Sequence, residues 1–183
     1  MSLDGQGTPV FIFETMNKPK LQDFNSADVA DTATLGTAML ALNNVHAQEL
    51  SWLEPEKLRD IAARAFLARR IGEVDAFILA LDQDAPYDSP NFLWFRDRYP
   101  RFIYVDRIAV ASSARGLGYA RALYDDLFDH AARAGHTRVV CEVNSRPPNP
   151  QSDAFHAALG FAEVGSASIH NDSKTVRYLM RAL

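Results

Sequence analysis

Asp106-Arg107-Ile108-Ala109-Val110-Ala111-Ser112-Ser113-Ala114-Arg115-Gly116-Leu117-Gly118-Tyr119-Ala120 decides the fold. Apolar residues run into a short polar turn, and Arg-Gly-x-Gly-x-Ala then opens an amphipathic helix. Two glycines at a strand-to-helix junction let the backbone pass close to a ligand. The helix start adds N–H groups without intrahelical partners and the positive end of its dipole. Such a cradle suits a pyrophosphate.

The flanking sequence supplies a strand on each side. Phe102–Ala111 reads as the strand entering the cradle. Beyond it Leu117, Ala120, Tyr124, Leu127, Phe128 and Ala131 recur at helical spacing until Gly135 closes the helix. Arg138–Asn144 reads as the next strand. Strand, crossover helix and strand imply two parallel neighbours with a right-handed connection.

Further out, Val74–Leu81 is a continuous apolar run read as a strand. Asp82 to Pro100 carries three prolines with Tyr87, Phe92, Trp94, Phe95 and Tyr99, an ordered excursion with a short helix over Asn91–Arg98. Toward the start, Ser26 or Asp28 caps a helix bearing Leu35, Met39, Leu42, Val45 and Leu50, and a second helix runs from Pro55 to Arg70. Val10–Phe13 is a candidate short strand. A helix over Asn149–Leu159 precedes strands Phe161–Ile169 and Thr175–Met180, with a hairpin turn at Asn171-Asp172-Ser173. Residues 1–18 read as a flexible tail and 19–183 as one domain.

Bulk properties narrow the function. The 183 residues are 48% hydrophobic and 23% charged, ordinary for one globular domain. A net charge of −4 argues against general nucleic-acid binding. No apolar run approaches the ~20 residues that span a bilayer, and the start lacks a basic-then-apolar leader. The single cysteine, Cys141, sits in an apolar strand pattern and reads as a small core residue. A cytoplasmic protein without a membrane partner is expected.

Several chemistries lack their usual motifs. A dinucleotide fingerprint wants a third glycine where Arg121 stands. No Gly-Lys-Ser/Thr follows the cradle, no Gly-x-Ser-x-Gly is present, and the five histidines lack metal-ligand spacing.

A second motif lies downstream: Asn149-Pro150-Gln151-Ser152-Asp153-Ala154-Phe155-His156-Ala157-Ala158-Leu159-Gly160-Phe161. Together with Arg115-Gly116-Leu117-Gly118-Tyr119-Ala120 it resembles the GNAT superfamily of acyl-CoA-dependent N-acyltransferases. The resemblance is good from Tyr104 to Phe161 and thin before residue 70. It implies an α+β domain whose mixed, mostly antiparallel sheet of six or seven strands splays between the two parallel central strands. It also implies acetyl-CoA as co-substrate, its pyrophosphate held by Arg115, Gly116, Leu117, Gly118, Tyr119 and Ala120. The pantetheine arm would pair with Ile108, Ala109 and Val110, and Asn149 matches the family's coenzyme-contacting asparagine. Asn149 before Pro150 also makes a good helix cap.

Acyl transfer to an amine needs a base, a donor for the oxyanion and an acid for the leaving thiolate. Asp106 is the first candidate for base or amine binding. It is expected to share a strand face with Tyr104, Ile108 and Val110, the plainer alternative being a salt bridge with Arg107. Glu142 on the adjoining strand competes for the role, and a strand N–H such as that of Val110 would hold the oxyanion. His156 departs from the family pattern, standing where a tyrosine usually protonates the coenzyme A thiolate. A histidine does so only as imidazolium, about a quarter of an ordinary imidazole at pH 7. The plainer alternative is a surface histidine.

The expected activity is direct acetyl transfer to a primary amine, on a small molecule or peptide, without metal. Asn43, Asn44 and His46, with Tyr87, Trp94 and Phe95, are expected to select the acceptor. A silent acyl-CoA sensor and a Rossmann-like nucleotide enzyme are the alternatives, and a homodimer stays open.

Overall fold

The computed structural model describes residues 18–30, 33–169 and 174–183. Its elements are β1 (Leu21–Asp23), α1 (Thr34–Val45), α2 (Ala47–Leu50), α3 (Pro55–Arg64), β2 (Leu67–Ile71), β3 (Ala76–Asp82) and α4 (Pro90–Arg96). Then come β4 (Ile103–Val110), α5 (Tyr119–Arg133), β5 (Arg138–Arg146), α6 (Pro150–Ala158), β6 (Ala162–Ile169) and β7 (Lys174–Ala182). A single 3-10 turn, Ser112–Ala114, joins β4 to the glycine turn.

The seven strands form one sheet in the order β1-β2-β3-β4-β5-β7-β6, every neighbour antiparallel except β4 and β5. The parallel pair touches only at Ile103↔Val139 and Tyr104↔Val140. Beyond Tyr104 each strand keeps its outer partner, β4 along β3 and β5 along β7, while the two inner edges part. The α+β fold and the splay match the expected architecture.

The sheet has a core on each face. On one, Leu123, Tyr124, Leu127, Phe128 and Ala131 of α5 pack against Ile78, Ile103, Val105 and Val139. On the other, Met39, Leu58, Ile61, Phe92 and Phe95 meet Phe77, Leu79 and Tyr104. Burying each such side chain contributes about 1.5–3 kcal/mol.

A β-bulge positions the site. Leu79 pairs with Arg107 and Ala80 with Val105, so Asp106 is the extra residue of β4. The bulge breaks the strict alternation of faces. Tyr104 lies in the core facing α4, whereas Ile108 and Val110 pack beside the α5 core. The expected single face of Asp106, Tyr104, Ile108 and Val110 is therefore wrong.

Three other expectations are corrected. First, α1 begins after Ala33 with no side-chain cap; Asp28 instead accepts from the Asn25 N–H within a turn. Second, the helix from Pro55 ends at Arg64, and Leu67–Ile71 is a strand paired along its length with β3. Third, Trp94 and Phe95 lie away from the cavity wall: half-buried Trp94 stacks on Tyr178 at 4.1 Å, and buried Phe95 meets Tyr178 edge-on at 5.2 Å. The tail (apart from Lys18), the Val10–Phe13 strand and the turn at Asn171–Ser173 lie outside the described residues.

Candidate active site

The gap between β4 and β5 opens into a cavity of about 860 Å³. Its wall runs from the glycine turn along Ile108–Val110 to Asp106, Glu142 and the end of α2.

At the turn end, Gly116 and Gly118 have φ of +79° and +77°, a region closed to most L-residues, and nothing lies within 4 Å of where a Cβ would stand on either. Among the described residues, no backbone acceptor takes the N–H of Gly116, Gly118, Tyr119, Ala120 or Arg121. These form a nest of donors at the start of α5. Arg115 borders the same space, whereas Leu117 is half-exposed and outside the wall. The backbone of Ile108, Ala109 and Val110 forms the next stretch of wall, on the edge of β4 that has left β5.

Two buried carboxylates stand deeper in. Glu142 Oε1 accepts from Asn91 Nδ2 at 2.9 Å and from the Tyr104 hydroxyl at 3.1 Å, while Oε2 is buried without a partner. Burial, and then the charge of Asp106, push the Glu142 pKa up to about 7. Asn91 is itself oriented by the Tyr178 hydroxyl, which donates to Oδ1 at 3.1 Å. Asp106 Oδ1 accepts from the Tyr87 hydroxyl at 2.7 Å. Its Oδ2 lies 3.2 Å from Arg107 Nε, an ion-pair distance without hydrogen-bond alignment. The salt bridge considered as the plain role of Asp106 thus exists and still leaves an oxygen unbonded.

Arg107 is also a tie. Its Nη1 donates to Asn43 Oδ1 at 2.9 Å, to the Leu50 carbonyl at 2.7 Å and to the Ser51 carbonyl at 3.1 Å. Asn144 of β5 donates to the Gln48 carbonyl at 3.1 Å. These bonds hold the α1–α2 segment over the carboxylate end. Lys174 borders the same end, and burial lowers its pKa.

Asn149 caps α6, its Oδ1 accepting from the Ser152 N–H at 3.2 Å, and the residue also borders the cavity. His156 is not a surface residue; it is buried and borders the cavity beside Tyr124. Both ring nitrogens are engaged, Nε2 with the Tyr124 hydroxyl and Nδ1 with Ser152, and burial lowers its pKa. Cys141 is buried as expected, and its side chain also borders the cavity.

Of the residues expected to select the acceptor, only Tyr87 and His46 border the cavity. Asn43 is buried on Arg107, and Asn44 is used in bonds to Asn43 and Leu53. Sequence reasoning missed Asn91, Tyr104, Tyr124, Asn144 and Lys174 as wall residues. Asn91 alone carried a local signal, a polar residue after Pro90 amid aromatics. Among the described residues no group of three or more His, Cys, Asp or Glu could hold a metal ion, and no helix is long and apolar enough to cross a membrane.

Comparison with known proteins adds a family. The model described as the acetyltransferase (GNAT) family matches residues 33–161. The sequence has no match among functionally curated proteins. Among solved structures the chain is similar to Ard1 from Thermoplasma volcanium, at TM-score 0.69 and 14% identity over 91% of this chain and 99% of that one. It is similar to the ribosomal-protein-S18-alanine N-acetyltransferase of Escherichia coli, at TM-score 0.64 and 14% identity over 89% and 92%. It is also similar to Chaetomium thermophilum Naa20, solved with a bisubstrate analogue, at TM-score 0.66 and 18% identity over 90% and 86%. At these identities the likeness is one of fold.

Proposed function

The chain belongs to the acetyltransferase (GNAT) family, and from that premise we propose that it transfers the acetyl group of acetyl-CoA directly to a primary amine. The acceptor is an amine on a small molecule or a peptide, bound together with acetyl-CoA in one ternary complex. The observation that carries this reading is a single cavity joining the donor nest at Gly116–Arg121 to the paired carboxylates Glu142 and Asp106.

The residues present fit the co-substrate. The nest and Arg115 would hold its pyrophosphate, and the free edge of β4 at Ile108–Val110 would pair with the pantetheine amides, as a peptide adds to a sheet edge. Bound there, acetyl-CoA supplies an activated acyl carbon as a thioester.

The chain's own groups do the rest. An alkyl ammonium arrives protonated, with an ordinary pKa near ~10. The Asp106 carboxylate would lie beside it, and Glu142, whose pKa is pushed up to about 7, would remove its proton. Tyr104 and Asn91 fix the Glu142 carboxylate so that Oε2 is the free oxygen.

The test is release of free thiol from acetyl-CoA across a panel of small amines and peptides. Acetyl-CoA should also raise the melting temperature where NAD and ATP do not; at 100 times Kd the stabilisation is about 2.7 kcal/mol. Stabilisation without thiol release would identify a silent acyl-CoA binder. No response to acetyl-CoA would overturn the reading.

A further inference from the structure

Tyr124 and His156 form a hydrogen-bonded pair in the cavity wall, apart from the carboxylates. The Tyr124 hydroxyl lies 2.8 Å from His156 Nε2. On the other side of the ring, Nδ1 is 2.8 Å from the Ser152 carbonyl oxygen and 3.2 Å from its Oγ. A carbonyl only accepts, so this contact places a proton on Nδ1 and makes Nε2 of the neutral ring the acceptor. Phe155 and Phe161 pack edge-on to the imidazole at 5.4 and 5.2 Å and fix its plane. The pair is enclosed, Tyr124 at 0% and His156 at 4% exposure.

Resting on the acetyl-transfer reading above, we propose that Tyr124 is the catalytic acid that protonates the departing thiolate, and that His156 is the positioning residue that resupplies its proton. The step balances. The amine nitrogen bonds to the acyl carbon, the thioester C–S bond breaks with its electron pair going to sulfur, and the Tyr124 hydroxyl proton passes to that sulfur. The Nε2 proton of the imidazolium passes to the phenolic oxygen. Free thiol, neutral phenol and a neutral imidazole protonated on Nδ1 remain, and water reloads the imidazole.

Neither member suffices alone. Burial raises the Tyr124 phenol well above its ordinary value, so it is a weaker acid than a thiol of pKa about 8.5. The His156 imidazolium, lowered by burial, is a stronger one. Backed by it, the phenol gives up its proton downhill. The charged and titratable groups around the ring are few. They are Asp153 on α6, itself bonded to Arg177 of β7; Cys141 and Glu142 of β5, which act on Tyr124; and Tyr124 from α5. Asp153 favours the imidazolium, and burial opposes it more strongly. The step therefore slows as pH rises through a value below 6.5, the reverse of the Glu142 limb.

Tyr124→Phe and His156→Gln test the pair, alone and together, against acetyl-CoA affinity, kcat and its pH profile. Each single variant is expected to lose about 10²-fold in kcat with unchanged coenzyme A affinity. The double variant should lose no more than either single one, and the sub-6.5 limb should vanish from all three. Imidazole nitrogen NMR of the unmodified protein, free and with coenzyme A, should show Nδ1–H with Nε2 accepting. An Nε2–H ring, a wild-type kcat in Tyr124→Phe, or additive losses in the double variant would each overturn the proposal. If Tyr124→Phe does not fold, His156→Gln and the NMR signals still decide it. Absence of thiol release by the unmodified protein would overturn the acetyl-transfer reading, and the imidazole signals tell the two failures apart.

Discussion

Replacing Glu142 with glutamine removes a charge while keeping the shape; turnover should fall, while stability relative to the wild type should improve as pH rises. Burial lifts the Glu142 pKa from 4.5 to about 7 in the folded protein. The native state thus binds this proton more tightly than the unfolded chain, and stability falls as pH rises from the unfolded value through the folded one. The shift corresponds to roughly 3 kcal/mol, acquired between about pH 4.5 and 7 and constant above. Glutamine has no proton to lose. Its oxygen still accepts from Asn91 and Tyr104, and its amide nitrogen takes the place of Oε2, which has no partner. That buried donor costs about 1–3 kcal/mol at every pH. The readout is therefore the change with pH: urea unfolding at pH 5 and pH 8 should show the variant gaining roughly 2.5 kcal/mol on the wild type, all other carboxylates cancelling. Turnover should fall by about 10²–10⁴-fold at pH 8 and by much less at pH 5, where protonation has already disarmed Glu142 in the wild type. A stability difference that stays flat from pH 5 to pH 8, or turnover that survives at pH 8, would refute the reasoning.

Other expectations are simpler to check. Asp106→Asn removes the charge that helps raise Glu142, so the acidic limb of kcat/KM should move to lower pH while the rate falls. A limb that stays near 7 would mean Asp106 is too well screened to matter. Gly118→Ala forces an alanine to φ of +77° and puts a methyl group in the donor nest; calorimetry should show acetyl-CoA affinity down at least about tenfold, with stability lower by ~1 kcal/mol. Gly165→Ala would bring a Cβ to 2.6 Å from the Trp94 ring, so the melting temperature should drop without any loss of acetyl-CoA affinity.

Local chemistry made the nest readable. Glycines at a strand-to-helix junction announce themselves in the sequence, and so does the Asn149-Pro150 start of α6. What stayed hidden depends on distant parts of the chain. Leu67–Ile71 continues the apolar spacing of α3 and becomes a strand only because β3 pairs with it. Asp106 gives no local sign of being the bulge, which is set by the register with Leu79 and Ala80. Tyr124 fits the buried stripe of α5 so well that its hydroxyl drew no notice, although it meets His156 32 residues later. Trp94 and Phe95 illustrate the reverse error. Aromatics in a long excursion read as a binding wall, yet these two pack on Tyr178 of β7 instead, and only Tyr87 of that group borders the cavity.

Arg107 has a mechanical consequence. One guanidinium grips the end of α1, through Asn43, and the Leu50 and Ser51 carbonyls, while its backbone is part of the same bulged strand as Asp106. The lintel over the acceptor doorway and the anionic floor beneath it are thereby bolted to one beam. Widening the cavity at that end means pulling the guanidinium off three oxygens at once.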